Sequence, residues 1–298
     1  MNDSLHNRVM RFLCPDGIWQ LSHSMKSLLR YQIGRLPRRK VSEDETRYPQ
    51  TPEGMRAFLE VFFTRHYFQV QNSLVKYLVS DEGQSILRKG HIRILDIGSG
   101  PAVASLAITD MVAHVVKHLV DSGESQKCSK VRATHVLNDT ESICLGVAQI
   151  MLGNYFKTAG ERRKWITPLQ AFTSQVEFPA NLKQLRRVGR NIGGYDLVVL
   201  SYVLTPLKEG PGLSALAAGL SDLEGLCGNQ GRILILQDRF RASLIRKVAG
   251  LVGRSAGKEE LTQRTDYTKN DNSVHTYSYY TCLYSPEEGK AAQKKRIA

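Results

Sequence analysis

Ile94-Leu95-Asp96-Ile97-Gly98-Ser99-Gly100-Pro101-Ala102 is the stretch on which the fold of this 298-residue chain turns. An apolar, β-branched run from Ile92 ends in an acid and two glycines one residue apart, and an apolar helical stretch, Val103 to Val120, follows at once. A strand that turns sharply into a helix puts that turn at the carboxyl edge of an α/β sheet, where such sheets bind ligands. The two glycines permit a tight turn and close backbone approach. A phosphate-binding dinucleotide loop would continue G-x-G-x-x-G, but Val103 holds the third position and Pro101 follows the second glycine directly, which disfavours a nicotinamide or flavin site. A plainer reading stands beside any ligand: the glycines turn the chain and Asp96 caps the helix.

On either side of this stretch, short apolar runs alternate with helical ones. Further strands are predicted at Ala133–Asn138, Trp165–Phe172, Leu197–Ser201 and Arg232–Gln237, with helices at Ser142–Phe156, Ala180–Arg190, Leu213–Leu226 and Phe240–Val252. Alternating strand and helix with apolar strands predicts a doubly wound, mostly parallel sheet covered on both faces. The last run, Val274–Tyr284, is aromatic and alternating, and with Leu261–Thr268 it predicts an antiparallel closing pair. The polar stretch Asp121–Lys130 reads as a loop insertion.

Before the first strand lies a basic, helical region. Helices are predicted at Ile18–Ile33 and Glu53–Val79, the second opened by Thr51-Pro52-Glu53, a capping residue, proline and early acid. The organisation expected is a helical basic N-terminal extension over residues 1–88, a sheet domain over 89–286 and a basic tail over 287–298. No run approaches the roughly 20 apolar residues of a membrane span. Five scattered cysteines, Cys14, Cys128, Cys144, Cys227 and Cys282, show neither zinc spacing nor a disulfide framework. The net charge of +13 is uneven: residues 4–42 carry +7 and residues 160–190 carry +5, while 43–159 and 191–285 together sum to zero. Excess positive charge fits a polyanion such as RNA. A chain lacking residues 1–42 is therefore expected to lose polyanion affinity while keeping its ligand site.

The residues around the glycine turn resemble those of class I S-adenosylmethionine-dependent methyltransferases, whose first motif is an acid followed by G-x-G after an apolar strand. The resemblance spans about Ile92 to Tyr284. It implies a Rossmann-like seven-stranded sheet and S-adenosylmethionine as cofactor, held by Asp96, Gly98, Ser99 and Gly100. Asp139, at the end of the second strand, would serve the ribose hydroxyls, with Thr140 beside it a further cofactor-binding residue, and Leu145 and Ala148 sit where the family pattern places an apolar and a small residue. Asp139 as a cap of the following helix is the plainer alternative. The interval from Gly100 to Asp139 is longer than in the family. The third strand offers Gln170 to Thr173 with no defined register. The fourth ends in Ser201-Tyr202-Val203-Leu204, where the resemblance places the acceptor, making Ser201 and Tyr202 the candidate catalytic residues.

Methyl transfer depends on alignment and exclusion of water more than on a dedicated base. Ser201-Tyr202-Val203-Leu204 lacks the Asn/Asp-Pro-Pro-aromatic pattern of exocyclic-amine methyltransferases, and no cysteine lies on the fourth or fifth strand as in pyrimidine-carbon enzymes. The leading expectation is an RNA methyltransferase, similar to ribosome-associated small-subunit enzymes though without the cysteine cluster some of them carry. Alternatives are a small-molecule methyltransferase with the N-terminal helices as a lid, and a cofactor-binding assembly protein without catalysis. Basic clusters at Arg162–Lys164, at Lys183, Arg186, Arg187 and Arg190, and at Lys294–Arg296 are candidate RNA-binding groups. Tyr277, Tyr279, Tyr280 and Tyr284 either stack bases or pack against the sheet. No metal site is expected, and the compartment expected is cytoplasm, with the acid-poor first forty residues pointing alternatively to the mitochondrial matrix.

Overall fold

The computed structural model describes residues 4–123, 130–158, 160–180, 182–204, 211–239, 242–252, 254–265 and 273–286. Cys128 and the basic tail lie outside them. Five strands run parallel: β1 (His91–Ile97), β2 (Val131–Asn138), β3 (Ile166–Ser174), β4 (Tyr195–Ser201) and β5 (Cys227–Asp238). They continue into an antiparallel pair, β6 (Gly257–Thr265) and β7 (Ser273–Tyr284), in the sheet order β3-β2-β1-β4-β5-β7-β6. The doubly wound, mostly parallel seven-stranded sheet with an antiparallel closing pair is the predicted architecture. One expectation is corrected: β5 begins at Cys227, paired with Tyr195, so a cysteine does lie on the fifth strand, at its amino end and on the edge of the sheet opposite the crevice. Strand order reverses between β1 and β4, so a crevice opens at their carboxyl ends.

Period-two alternation in β1 supplies both faces. Ile92 and Ile94 pack into one apolar cluster with α7 (Val103–Asp121) and α8 (Ser142–Thr158). Leu95 and Ile97 enter the other, formed with α9 (Lys183–Ile192), α10 (Pro211–Glu224) and α11 (Ala242–Leu251). Helix α7, 19 residues long with Asp110, Lys117 and Asp121 among them, is long and on average apolar enough to cross a membrane by length and composition alone. In the fold it is buried between sheet and helices. Its one acid before the last turn, Asp110, accepts hydrogen bonds from Tyr67 (2.7 Å) and Tyr155 (3.0 Å) and pairs with Arg162 at 2.6 Å. A buried charge persists only when so partnered. Arg162, expected among the RNA-binding groups, is thus committed to the interior.

Six helices precede β1: α1 (Leu5–Leu13), α2 (His23–Gly34), α3 (Glu43–Arg47), α4 (Pro52–Val61), α5 (Phe63–Leu78) and α6 (Asp81–Arg88). The helix expected at Ile18 begins only at His23, because the Ser22 hydroxyl accepts the Met25 N–H and caps it there. Trp19, ahead of that cap, exchanges backbone hydrogen bonds of 2.9 and 2.8 Å with Thr262 and Arg264, covering the outer edge of β6. The single helix expected over Glu53–Val79 is two, meeting at Phe62 with φ −108°. Elsewhere the expected helices are displaced by two to three residues at their starts or ends, as at α9 and α10.

The aromatic closing strand resolves the tyrosine alternatives toward packing. Tyr279 and Tyr284 are buried, Tyr280 is capped by Arg246, and Tyr277 lies under the Arg65 guanidinium at 4.9 Å. Tyr279, Tyr280 and Tyr284 thus pack rather than stack, and half-buried Tyr277 has the Arg65 guanidinium over its ring.

Val9, Leu13, Met25, Leu28, Leu29 and Ile33 are buried in the same cluster as α7 and α8. Removing residues 1–42 would strip these partners from the sheet-face helices, so the deletion should disturb the sheet domain as well as remove charge. The truncated chain should lose its cooperative thermal transition or aggregate, and Leu29→Ala alone should cost about 2–5 kcal/mol in a denaturant titration. A truncated chain melting like the full one would contradict this packing.

Candidate functional site

Every residue singled out from sequence as a site residue lines one cavity of about 480 Å³ at the carboxyl ends of β1, β2 and β4. That size suits a drug-sized or cofactor-sized ligand. Asp96, Gly98, Ser99 and Gly100 come from the β1–α7 turn, Asp139 and Thr140 from the end of β2, and Ser201 and Tyr202 from the end of β4. The turn is built from left-handed residues: φ is +65° at Gly98, +50° at Gly100 and +62° at Ala102. A Cβ on Gly98 would also press on Val203 at 3.1 Å, so glycine there serves both conformation and space.

The end of β2 grips its neighbours. Asn138 accepts the Ser99 N–H through its backbone carbonyl at 2.9 Å, and Asp139 Oδ2 accepts the Gly100 N–H at 2.8 Å. On the opposite side the Asn138 amide donates to the Val176 carbonyl at 3.0 Å and accepts the Val176 N–H at 3.2 Å. This fixes the loop after β3, placing Val176, Glu177 and Phe178 along the cavity wall. Asp139 Oδ1 accepts the Glu141 N–H at 2.9 Å, a local turn preceding α8. Its carboxylate therefore shapes the site. Thr140 is exposed at the rim, its carbonyl accepting from Gln175 at 2.7 Å.

Asp96 is nearly inaccessible, at 1% exposure. Its Oδ2 accepts from the Ser105 N–H and hydroxyl at 3.0 and 2.8 Å, so part of its role is to hold the first turns of α7. Its Oδ1 is buried without a partner among the described residues, as is the Ser99 hydroxyl. Burial pushes the Asp96 carboxyl up to about 7, the nearby Asp139 charge adding to the effect and the Ser105 donors opposing it. Burial likewise raises Asp139, against the pull of the backbone donors from Glu141 and Gly100.

The N-terminal helices roof the cavity. Phe58 of α4 stands over the Gly100 turn, and residues 47–50 cross the start of α8, with Cys144 Sγ donating to Pro49 O at 3.6 Å and Gln50 reaching Glu141 at 3.5 Å. On the β4 side His66 of α5 stacks on Tyr202, ring centroids 3.8 Å apart and 13° from parallel. The Tyr202 hydroxyl donates to Gln69, and its backbone is left-handed at φ +63°. Burial pushes the Tyr202 phenol up and, with the Arg65 charge, holds His66 well below the usual imidazole range. The β4 wall thus presents a neutral phenol and a neutral imidazole. Asn138, Phe58, His66 and the Val176–Phe178 wall were not singled out from sequence. Asn138 adjoins Asp139 and was within reach of that reading, whereas Phe58 and His66 sit in a helical pattern that speaks only of packing.

No protein-family model matches the chain, and no curated protein matches it by sequence. Among solved structures to which it is similar, a proposed RNA methyltransferase from Pyrococcus horikoshii matches at 9% identity and TM-score 0.35, over 89% of this chain and 98% of its own length. An S-adenosylmethionine-dependent methyltransferase from Clostridium acetobutylicum matches at 12% identity and TM-score 0.34, over 76% of this chain and 79% of that one. A glycopeptide N-methyltransferase complexed with S-adenosyl-L-homocysteine matches at 12% and 0.29, over 72% and 74%.

Because the Asp96 carboxyl titrates near 7 in the native state and near 4 unfolded, the folded protein holds a proton the unfolded chain has released. The stabilisation is complete below about pH 4 and is lost as pH rises through about 7. Asp96→Asn should remove this component, so the fall in unfolding free energy between pH 5 and pH 8 should be smaller in the variant. Equal falls in both proteins would contradict a buried, proton-binding Asp96.

Proposed function

We propose that the chain is an S-adenosylmethionine-dependent methyltransferase acting on RNA. The observation that carries the cofactor reading is the buried, unpartnered Asp96 Oδ1 beside a glycine turn at the crevice of a doubly wound sheet. A carboxylate oxygen in that position requires a donor, preferably a cationic one. The α-ammonium of S-adenosylmethionine is such a donor, and its charge would favour the ionised form of Asp96. The left-handed turn at Gly98 and Gly100 exposes backbone to the methionyl portion, while Asp139 and Glu141 offer carboxylate oxygens to ribose hydroxyls. When bound, the cofactor supplies a methyl group activated on a sulfonium.

The remaining residues orient and exclude water. Phe58 and residues 47–50 roof the cavity, and the Tyr202 ring, held between His66 and Gln69, forms its β4 wall. Tyr202 keeps its proton and is tied to Gln69, so its role is to position an acceptor; Ser201 stands beside it. The aromatic wall and the basic helix described below support a nucleobase in a phosphate-bearing strand. The roof supports a second reading, a small-molecule acceptor enclosed beneath α3 and α4.

S-Adenosylmethionine and S-adenosylhomocysteine should each bind the wild-type chain in calorimetric titrations. Asp96→Asn should weaken binding about 10- to 100-fold, the range of a charge-assisted hydrogen bond, without lowering the melting temperature. Absence of binding to the wild type would overturn the reading. Incorporation of labelled methyl into total RNA supports the RNA acceptor, incorporation into a metabolite extract supports the second reading, and none with either points to the assembly-protein alternative.

A further inference from the structure

We propose that the outer face of α9 is a docking surface for the phosphodiester backbone of single-stranded RNA, delivering the strand to the cavity. The proposal rests on the RNA methyltransferase reading for the identity of the polyanion. Lys183, Arg186, Arg187 and Arg190 fall at i, i+3, i+4 and i+7, one stripe covering about 10 Å of helix axis. With Asn191 they line a shallow surface depression.

As a helix, this segment is poorly made. Like charges three and four residues apart repel along the stripe, a lysine occupies the first helical position where the dipole disfavours a cation, no acid lies in the first turn and no side chain caps it. Its other irregularity, Gly189, has a packing cause: a Cβ there would lie 2.9 Å from the Tyr195 ring. The charge stripe has no such cause. Asp222 pairs with Arg186, but the Arg187 and Arg190 guanidiniums are exposed and have no hydrogen bond or ion pair among the described residues. Local rules broken without a packing gain point to function.

Position and chemistry select the occupant. The loop that leads into α9 carries Val176–Phe178, the cavity wall, so the Lys183 end of the stripe points toward the site, while the far end of the helix meets Arg93 at the start of β1. The exposed face of α9 is Lys183, Gln184, Arg187 and Arg190, with no apolar residue to enter a lipid surface. By contrast another basic run, Arg38-Arg39-Lys40, is followed within five residues by Glu43, Asp44 and Glu45.

The test is fluorescence anisotropy of a labelled single-stranded RNA of about 20 nucleotides, long enough for a site of the usual single-strand size, with the full chain and with Lys183→Gln/Arg187→Gln/Arg190→Gln, across a salt series. Each phosphate that a substitution leaves unneutralised should reduce the slope of log affinity on log salt by about 0.7. The triple variant should therefore lose about 2 from the slope and bind about tenfold more weakly, or worse, at low salt, while S-adenosylhomocysteine binding and melting temperature hold or the latter rises. Crosslinking of thiouridine-substituted RNA to the wild type should map to residues 183–191, which decides the matter even if the variant misfolds. Unchanged slope and affinity, crosslinks elsewhere, or binding to phosphatidylserine vesicles in place of RNA would overturn the proposal. A wild type that binds RNA through α9 but not S-adenosylhomocysteine would support the surface and overturn the cofactor reading.

Discussion

The geometry of the site depends on the hold that Asn138 and Asp139 have on the loops to either side of β2. From one strand end, a backbone carbonyl and a carboxylate fix the Ser99 and Gly100 N–H groups, while a side-chain amide makes a two-way bridge to Val176. Loops at the carboxyl edge of a parallel sheet have no ladder to order them. Here β2 supplies that order, so the glycine turn and the β3 wall are set relative to one another before any ligand arrives. Preorganisation of this kind reduces the ordering cost of binding.

Such a site stores unfavourable features that the surrounding packing must sustain. Ala102 and Tyr202 adopt left-handed backbone conformations that side-chain-bearing residues seldom take, and both flank the cavity. Asp96 is buried with one oxygen unpaired among the described residues. Tyr202 is held by His66 on its face and Gln69 at its hydroxyl, both from α5, and α5 is locked to α7 through the Tyr67–Asp110 hydrogen bond. The N-terminal helices are thus structural supports of the site as well as its roof. The positive charge of residues 160–190 separates on the same grounds: Arg162 serves the interior, whereas Arg187 and Arg190 face solvent.

Much of the architecture was legible because local pattern and tertiary role coincide. The run Ile92–Ile97, the acid and the two glycines specify strand, turn and helix in sequence order, and apolar strands alternating with helices admit few arrangements besides a doubly wound sheet. Asp96, Gly98, Gly100 and Asp139 stand at strand ends, so their convergence followed from topology. Asn138 escaped attention because an asparagine ending a strand is indistinguishable from a turn former until its amide is seen to meet Val176.

Sequence by itself determined the strands, their order of appearance and the turn that makes a ligand site, since hydrophobic period and glycine placement are local properties of the chain. Only the tertiary structure decided that α4 and α5 separate at Phe62, that Phe58 and His66 face the cavity, and that residues 5–34 belong to the core. Those outcomes depend on packing between segments far apart in the chain, where the same apolar residue is compatible with several partners. Burial selects among them, and burial is a property of the assembled fold.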